Sequence, residues 1–249
     1  MEVSEVYKKA KQVFFFSKEI SSLFADYMQT GGFPRSIYEL IEGNGIKEET
    51  YEIYWKWLVS DIAKIDRSER ITRSVLISVL KNYSSKFSLN SIAKEMEIGS
   101  HVTIREYLEI LENLFVLRNV FPFDFAKKTE CFRKMRKIYF TDPFLFSVYK
   151  KTLTKQQITD DEIPKIIEGI VSEHLIRKFG KVFYASNGKE IDFILNKTAI
   201  EVKWRAKTSF KDFGKITLKN NILLSKSNFD FKEKDKILII PASLFLTLI

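Results

Sequence analysis

Two short alternating runs late in the chain, residues 191–195 and 199–204, restrict its fold more than any other feature. Residues two apart on a strand share a face. Glu201 and Lys203 therefore point one way, and Ile200, Val202 and Trp204 point the other, into a core. Glu190 and Asp192 likewise share a face, opposite Ile191, Phe193 and Leu195. Joined across Asn196 and Lys197, the runs read as a β-hairpin. Their polar faces then form one acidic, lysine-bearing patch, preceded in the chain by a glutamate on a predicted helix, Glu173. An Asp followed by Glu-x-Lys on the neighbouring strand can bind a divalent metal beside a scissile phosphate. The same alternation would also arise from a plain cross-strand salt-bridge cluster.

The bulk numbers agree with a soluble, multidomain chain. Its 249 residues suffice for two or more domains, and 45% apolar content supplies their cores. A formal charge of +9 favours an anionic partner, nucleic acid by default, although such charge also serves solubility alone. One cysteine, Cys131, excludes a disulfide framework and suits a reducing cytoplasm. The opening residues are charged and polar rather than a signal peptide. No apolar run approaches the roughly 20 residues of a membrane span. A cytoplasmic protein with no membrane contact is expected.

Residues 1–64 read as a helical segment. Val13, Phe16, Ile20, Leu23, Phe24 and Tyr27 recur at helical spacing. Gly31-Gly32-Phe33-Pro34 breaks the pattern, and Tyr51, Tyr54, Trp55, Leu58 and Ile62 mark a later helix. So many aromatics exceed what a small helical piece buries alone, so it docks on another protein or packs on the rest of the chain. In residues 65–150, Ser88 caps a short helix bearing Leu89, Ile92, Ala93 and Met96. A turn at 98–100 leads to a longer helix with Ile104, Tyr107, Leu108, Leu111, Leu114 and Phe115 on one stripe. Strand-like runs at 116–123 and 135–140 follow, giving a winged helix-turn-helix. In the DNA-reading mode, Ser100, His101, Thr103, Arg105 and Glu106 face the major groove. Lys127, Lys128, Arg133, Lys134, Arg136 and Lys137 could grip phosphates, or simply solvate a hairpin. Glu106, Glu109 and Glu112 argue mildly against deep groove insertion, and winged helices also dock proteins.

A linker at 151–163 precedes the third segment, 164–249. Its first helix begins at Pro164 and buries Ile166, Ile167, Ile170, Val171 and Leu175, with Gly180 at its end. Gly169, four residues before Glu173, is expected to let the sheet approach the carboxylate. Strands at 182–185, 191–195 and 199–204, an ambiguous stretch at 210–224 read as helical, a strand at 237–240 and a short last helix complete an α-β-β-β-α-β order. The fold class is α+β, multidomain.

That order, with Glu173, Asp192 and Glu201-Val202-Lys203 so placed, resembles the PD-(D/E)XK nuclease fold. The chain as a whole is similar to the C-terminal part of archaeal and bacterial AAA+-type ATPases, which carry a helical lid, a winged helix and a nuclease-like domain. The matching stretches are residues 27–34, 88–114, 137–142, Glu168-Gly169 to Glu173, 190–193 and 200–203. The resemblance implies Mg²⁺ or Mn²⁺ on Asp192 and Glu201, Lys203 orienting water or stabilising the transition state, and Glu173 completing the shell or positioning Lys203. Glu190 is a weaker second-metal candidate. The chain departs from these ATPases in having no P-loop, Gly-x-x-x-x-Gly-Lys-Ser/Thr, so ATP is not expected to bind it. An ATPase domain would be a partner for the N-terminal helices. Arg35 is either a nucleotide-sensing lid arginine or an exposed helix-start residue. His174 reads as a helix-face residue, Asp142 as a helix cap and Cys131 as inert. The alternative to a nuclease is a non-catalytic DNA-binding or protein-docking module.

Overall fold

Several helices in this protein begin at side-chain caps. In a computed structural model, residues 2–43, 45–95, 100–125, 129–131, 135–185, 190–205, 207–213 and 218–249 are described. The chain opens with α1 (Val3–Val13) and α2 (Ser17–Thr30), joined by a 3₁₀ turn at Phe14–Phe16. Next come α3 (Pro34–Ile41), α4 (Glu48–Lys64), α5 (Glu69–Lys81), α6 (Leu89–Glu95) and α7 (His101–Asn113). Strands β1 (Leu117–Val120), β2 (Phe123–Asp124), β3 (Thr129–Glu130) and β4 (Lys137–Phe140) lead to α8 (Pro143–Tyr149) and a π-helical turn, Lys150–Thr154. Helix α9 (Ile163–Phe179) is followed by β5 (Phe183–Ala185), β6 (Ile191–Leu195), β7 (Thr198–Lys203), β8 (Asn220–Ser225), β9 (Asp230–Lys232), β10 (Ile237–Pro241) and α10 (Ala242–Leu248). The architecture is mixed α+β. Two compact units share the chain: residues 26–119 with 135–169, and residues 1–25 with 120–134 and 170–249.

The first of these units is mostly helical. Side-chain oxygens of Ser68, Ser100 and Asp142 accept from the opening turns of α5, α7 and α8, which otherwise leave donors unpaired. Asp142 does more than cap. One oxygen accepts from Phe144 N at 2.8 Å, and the other accepts from Gly32 N at 2.9 Å. Gly31 sits at φ +56°, and a Cβ there would fall 1.7 Å from the same carboxylate. The Gly31-Gly32 turn is thus fixed by the need to lie against Asp142. Strand β1 pairs with β4, and a bridge from Phe87 to Arg136 extends that ladder. Val75, Leu76, Val79, Ile104, Leu108 and Leu111 on α5 and α7 are fully buried. Each such aliphatic chain is worth about 1.5–3 kcal/mol.

The second unit is a six-stranded sheet in the order β5-β6-β7-β8-β10-β9. Antiparallel β6 and β7 turn at Asn196, which takes φ +54°. β8 lies parallel to both β7 and β10. Val3, Val6 and Ala10 of α1, spaced for one helix face, are buried, and Val3 N donates to Asn220 Oδ1 at 3.3 Å. The small β2–β3 hairpin joins the other edge, where Tyr184 N donates to Phe121 O at 3.1 Å. Two sequence expectations are corrected. Residues 220–225 form a strand, because β8 is buried along its whole length between parallel neighbours and shows no alternation to read. Only Phe210–Asp212, a 3₁₀ turn, is helical in that stretch among the described residues. Gly169 does not admit the sheet: its close neighbour is the Tyr83 hydroxyl, 2.3 Å from where a Cβ would be.

Candidate metal and nucleic-acid site

Strands β6 and β7 place two carboxylates side by side. Their register pairs Phe193 with Ile200, and one step further sets Asp192 opposite Glu201. Both are buried, Asp192 at 8% exposure and Glu201 at 6%. Glu201 Oε1 accepts from Lys203 Nζ at 2.5 Å, on the same strand face. Glu201 Oε2 is buried and has no hydrogen-bond partner. Asp192 Oδ2 accepts from Val202 N at 2.9 Å. Burial first, and then the neighbouring Asp192 charge, push the Glu201 carboxyl above its usual range, and Lys203 only partly offsets them. Such a site favours an added positive charge.

Glu173, on α9, is also buried, and it accepts from Arg177 Nε at 2.9 Å one turn later. The structure thus brings Asp192, Glu201 and Lys203 together and ties Glu173 to Arg177. Among the described residues, no group of three or more His, Cys, Asp or Glu side chains is arranged to hold a metal ion. Arg177 was not singled out from sequence, although its spacing four residues after Glu173 is the standard signal for a helical ion pair. Glu190, just before β6, is half-buried. His174 sits on the helix with Nδ1 2.9 Å from Ile170 O, and burial holds its imidazole below the ordinary range.

The residues expected to meet DNA divide into distinct groups. His101 and Arg105 are exposed on α7, and Thr103 is half-buried. Ser100 is engaged as the cap of α7, and Glu106 pairs with Arg67 at 3.1 Å. Arg136 is half-buried and donates to Asn119 Oδ1 at 3.3 Å. Burial, and then the charge of Arg105, lower its guanidinium. Lys127, Lys128, Arg133 and Lys134 lie outside the described residues, as do Met96 and the Ile98-Gly99 turn.

Lys137 requires a correction. It is 1% exposed, donates to Glu168 Oε1 at 2.9 Å, and shares that oxygen with the Tyr139 hydroxyl. Every residue of β4 is buried, so this cation neutralises an interior carboxylate instead of gripping phosphates. Arg35 Nε donates to Thr50 Oγ1 at 2.9 Å and to the buried Glu39 at 3.2 Å. Among the described residues, no helix is long and apolar enough to cross a membrane. A family model described as a domain of unknown function (DUF8612) matches residues 21–157 and ends before Glu173 and the carboxylate pair. No curated protein and no solved structure matches the chain.

Proposed function

The chain belongs to the DUF8612 family, and we propose that it is a nucleic-acid-processing protein with a metal-dependent phosphodiesterase site. On this reading, residues 65–150 are a winged helix and residues 164–249 a PD-(D/E)XK nuclease-like domain, as in the C-terminal region of AAA+-type ATPases. ATP belongs to a separate ATPase domain, because this sequence has no P-loop. The observation that carries the proposal is Glu201 Oε2, buried without a partner beside Asp192 and above a lysine-bearing strand face.

Asp192 and Glu201 supply the hard oxygen donors that Mg²⁺ or Mn²⁺ prefers. Such a cation, when bound, lowers the pKa of a water and offsets charge building on the phosphate. Lys203 holds its ammonium against Glu201, from where it would orient a nucleophile or face a phosphate oxygen. Glu173 is oriented by Arg177 for a supporting role. The overall +9 charge draws a polyanion.

Titration calorimetry with Mn²⁺ on wild type and on Asp192→Ala/Glu201→Ala tests the site. Heat in the wild type that vanishes in the double variant supports it, and loss of nicking of plasmid DNA in Lys203→Ala extends it to catalysis. No heat in either protein removes the metal site. One observation favours a second reading, a non-catalytic DNA-binding module: Lys203 already pairs with Glu201 as a plain ion pair on the strand face. DNA retention that survives Asp192→Ala and weakens with salt would select it.

A further inference from the structure

The 3₁₀ turn between α1 and α2 presents an apolar surface that the sheet unit leaves uncovered. Phe15 is 86% exposed and Phe16 is 54% exposed, their rings 5.5 Å apart and edge-to-face. Phe14 stacks on Phe229 at 4.7 Å, and Tyr7 lies 5.4 Å from Phe229 and 4.7 Å from Phe231. The result is a ledge of ring faces and not a single stray aromatic. Lys8, Lys9, Lys11 and Lys18 flank it, all exposed. Glu5, paired with Lys9 at 3.4 Å, and Glu19 only partly offset them.

The ledge lies at the same end of the sheet as the carboxylate pair. Lys203 is in register with Ser225, and Phe229 is four residues beyond Ser225. Four residues reach at most about 14 Å. Trp204, directly after Lys203, carries Lys226 6.0 Å from its ring.

We propose that this ledge binds unpaired nucleotides, so that the substrate entering the site is a single strand or a single-stranded end of a duplex. Exposed ring faces stack on any base, but only where the base is not already stacked and paired inside a duplex. The flanking lysines meet the phosphates between the stacked bases. The identity of the substrate rests on the nuclease reading above, whereas strand binding by the ledge does not need it.

Fluorescence anisotropy of the full chain with a labelled oligothymidine and with a duplex of the same length tests the proposal. The single strand should bind more tightly. Phe15→Ala/Phe16→Ala should weaken it about tenfold or more while leaving duplex affinity unchanged. Phe15→Tyr/Phe16→Tyr should restore it. Both rings are largely exposed, so thermal unfolding of the variants should match wild type. Equal single-strand affinity in wild type and the alanine variant overturns the ledge. So does loss of binding to anionic phosphatidylserine vesicles in that variant with oligonucleotide binding intact, which would make the surface a membrane contact. In Asp192→Ala/Glu201→Ala, single-strand binding that persists without Mn²⁺ heat separates a correct ledge from a failed metal site.

Discussion

Folding disfavours the carboxylate form of Glu201. Its folded pKa is raised, so the folded state holds a proton that the unfolded chain releases. Stability from this group is therefore lost as pH rises from the ordinary glutamate range through the raised value. Glu201→Gln should be more stable than wild type at pH 7, and the gap should shrink at pH 5, as read by urea denaturation at both values. The same logic applies without charge to Tyr149, whose hydroxyl is buried with no partner. Tyr149→Phe should raise stability by about 1 kcal/mol, the cost of an unsatisfied polar group. The pairing of Glu201 with Lys203 was legible in the sequence because it is set by strand period alone. Lys137 was misread because its partner, Glu168, lies on another element, and a lysine among other cations gives no sign of an interior carboxylate.

Between elements, Asp142 joins two, capping α8 while holding the turn after α2. Asp142→Ala should cost about 2 kcal/mol, combining a lost cap with an orphaned Gly32 donor. Gly31→Ala should cost at least as much, because both its φ and the space are wrong for a side chain. Thermal unfolding of the two variants and of their double mutant should show strong non-additivity, since both disrupt one contact. Caps and tight turns such as Ser88, Asp142 and Asn196 were readable because they use neighbouring residues. β8 was not, because a strand buried on both faces carries no period, and a short apolar run then passes equally for helix. Gly169 shows the same limit: the need for a small residue was visible, but the Tyr83 hydroxyl that imposes it was not.

Across the whole molecule, the chain passes between the two units after residues 25, 119, 134 and 169. A fragment of residues 26–169 contains all of the helical unit and should unfold cooperatively in urea. Residues 170–249 alone should not, since Val3, Val6 and Ala10 of α1 are missing from their packing. Interleaving of this kind has no local sequence signature, because it depends on pairings such as that of Val3 with Asn220. That pairing also sets a timetable on the ribosome. α1 leaves the exit tunnel well before β8, β10 and α10 exist, so it must wait, with its apolar face uncovered, while the helical unit is already able to close. A nascent chain stalled before residue 220 should therefore be a strong target for a chaperone at α1, and the finished chain a weak one.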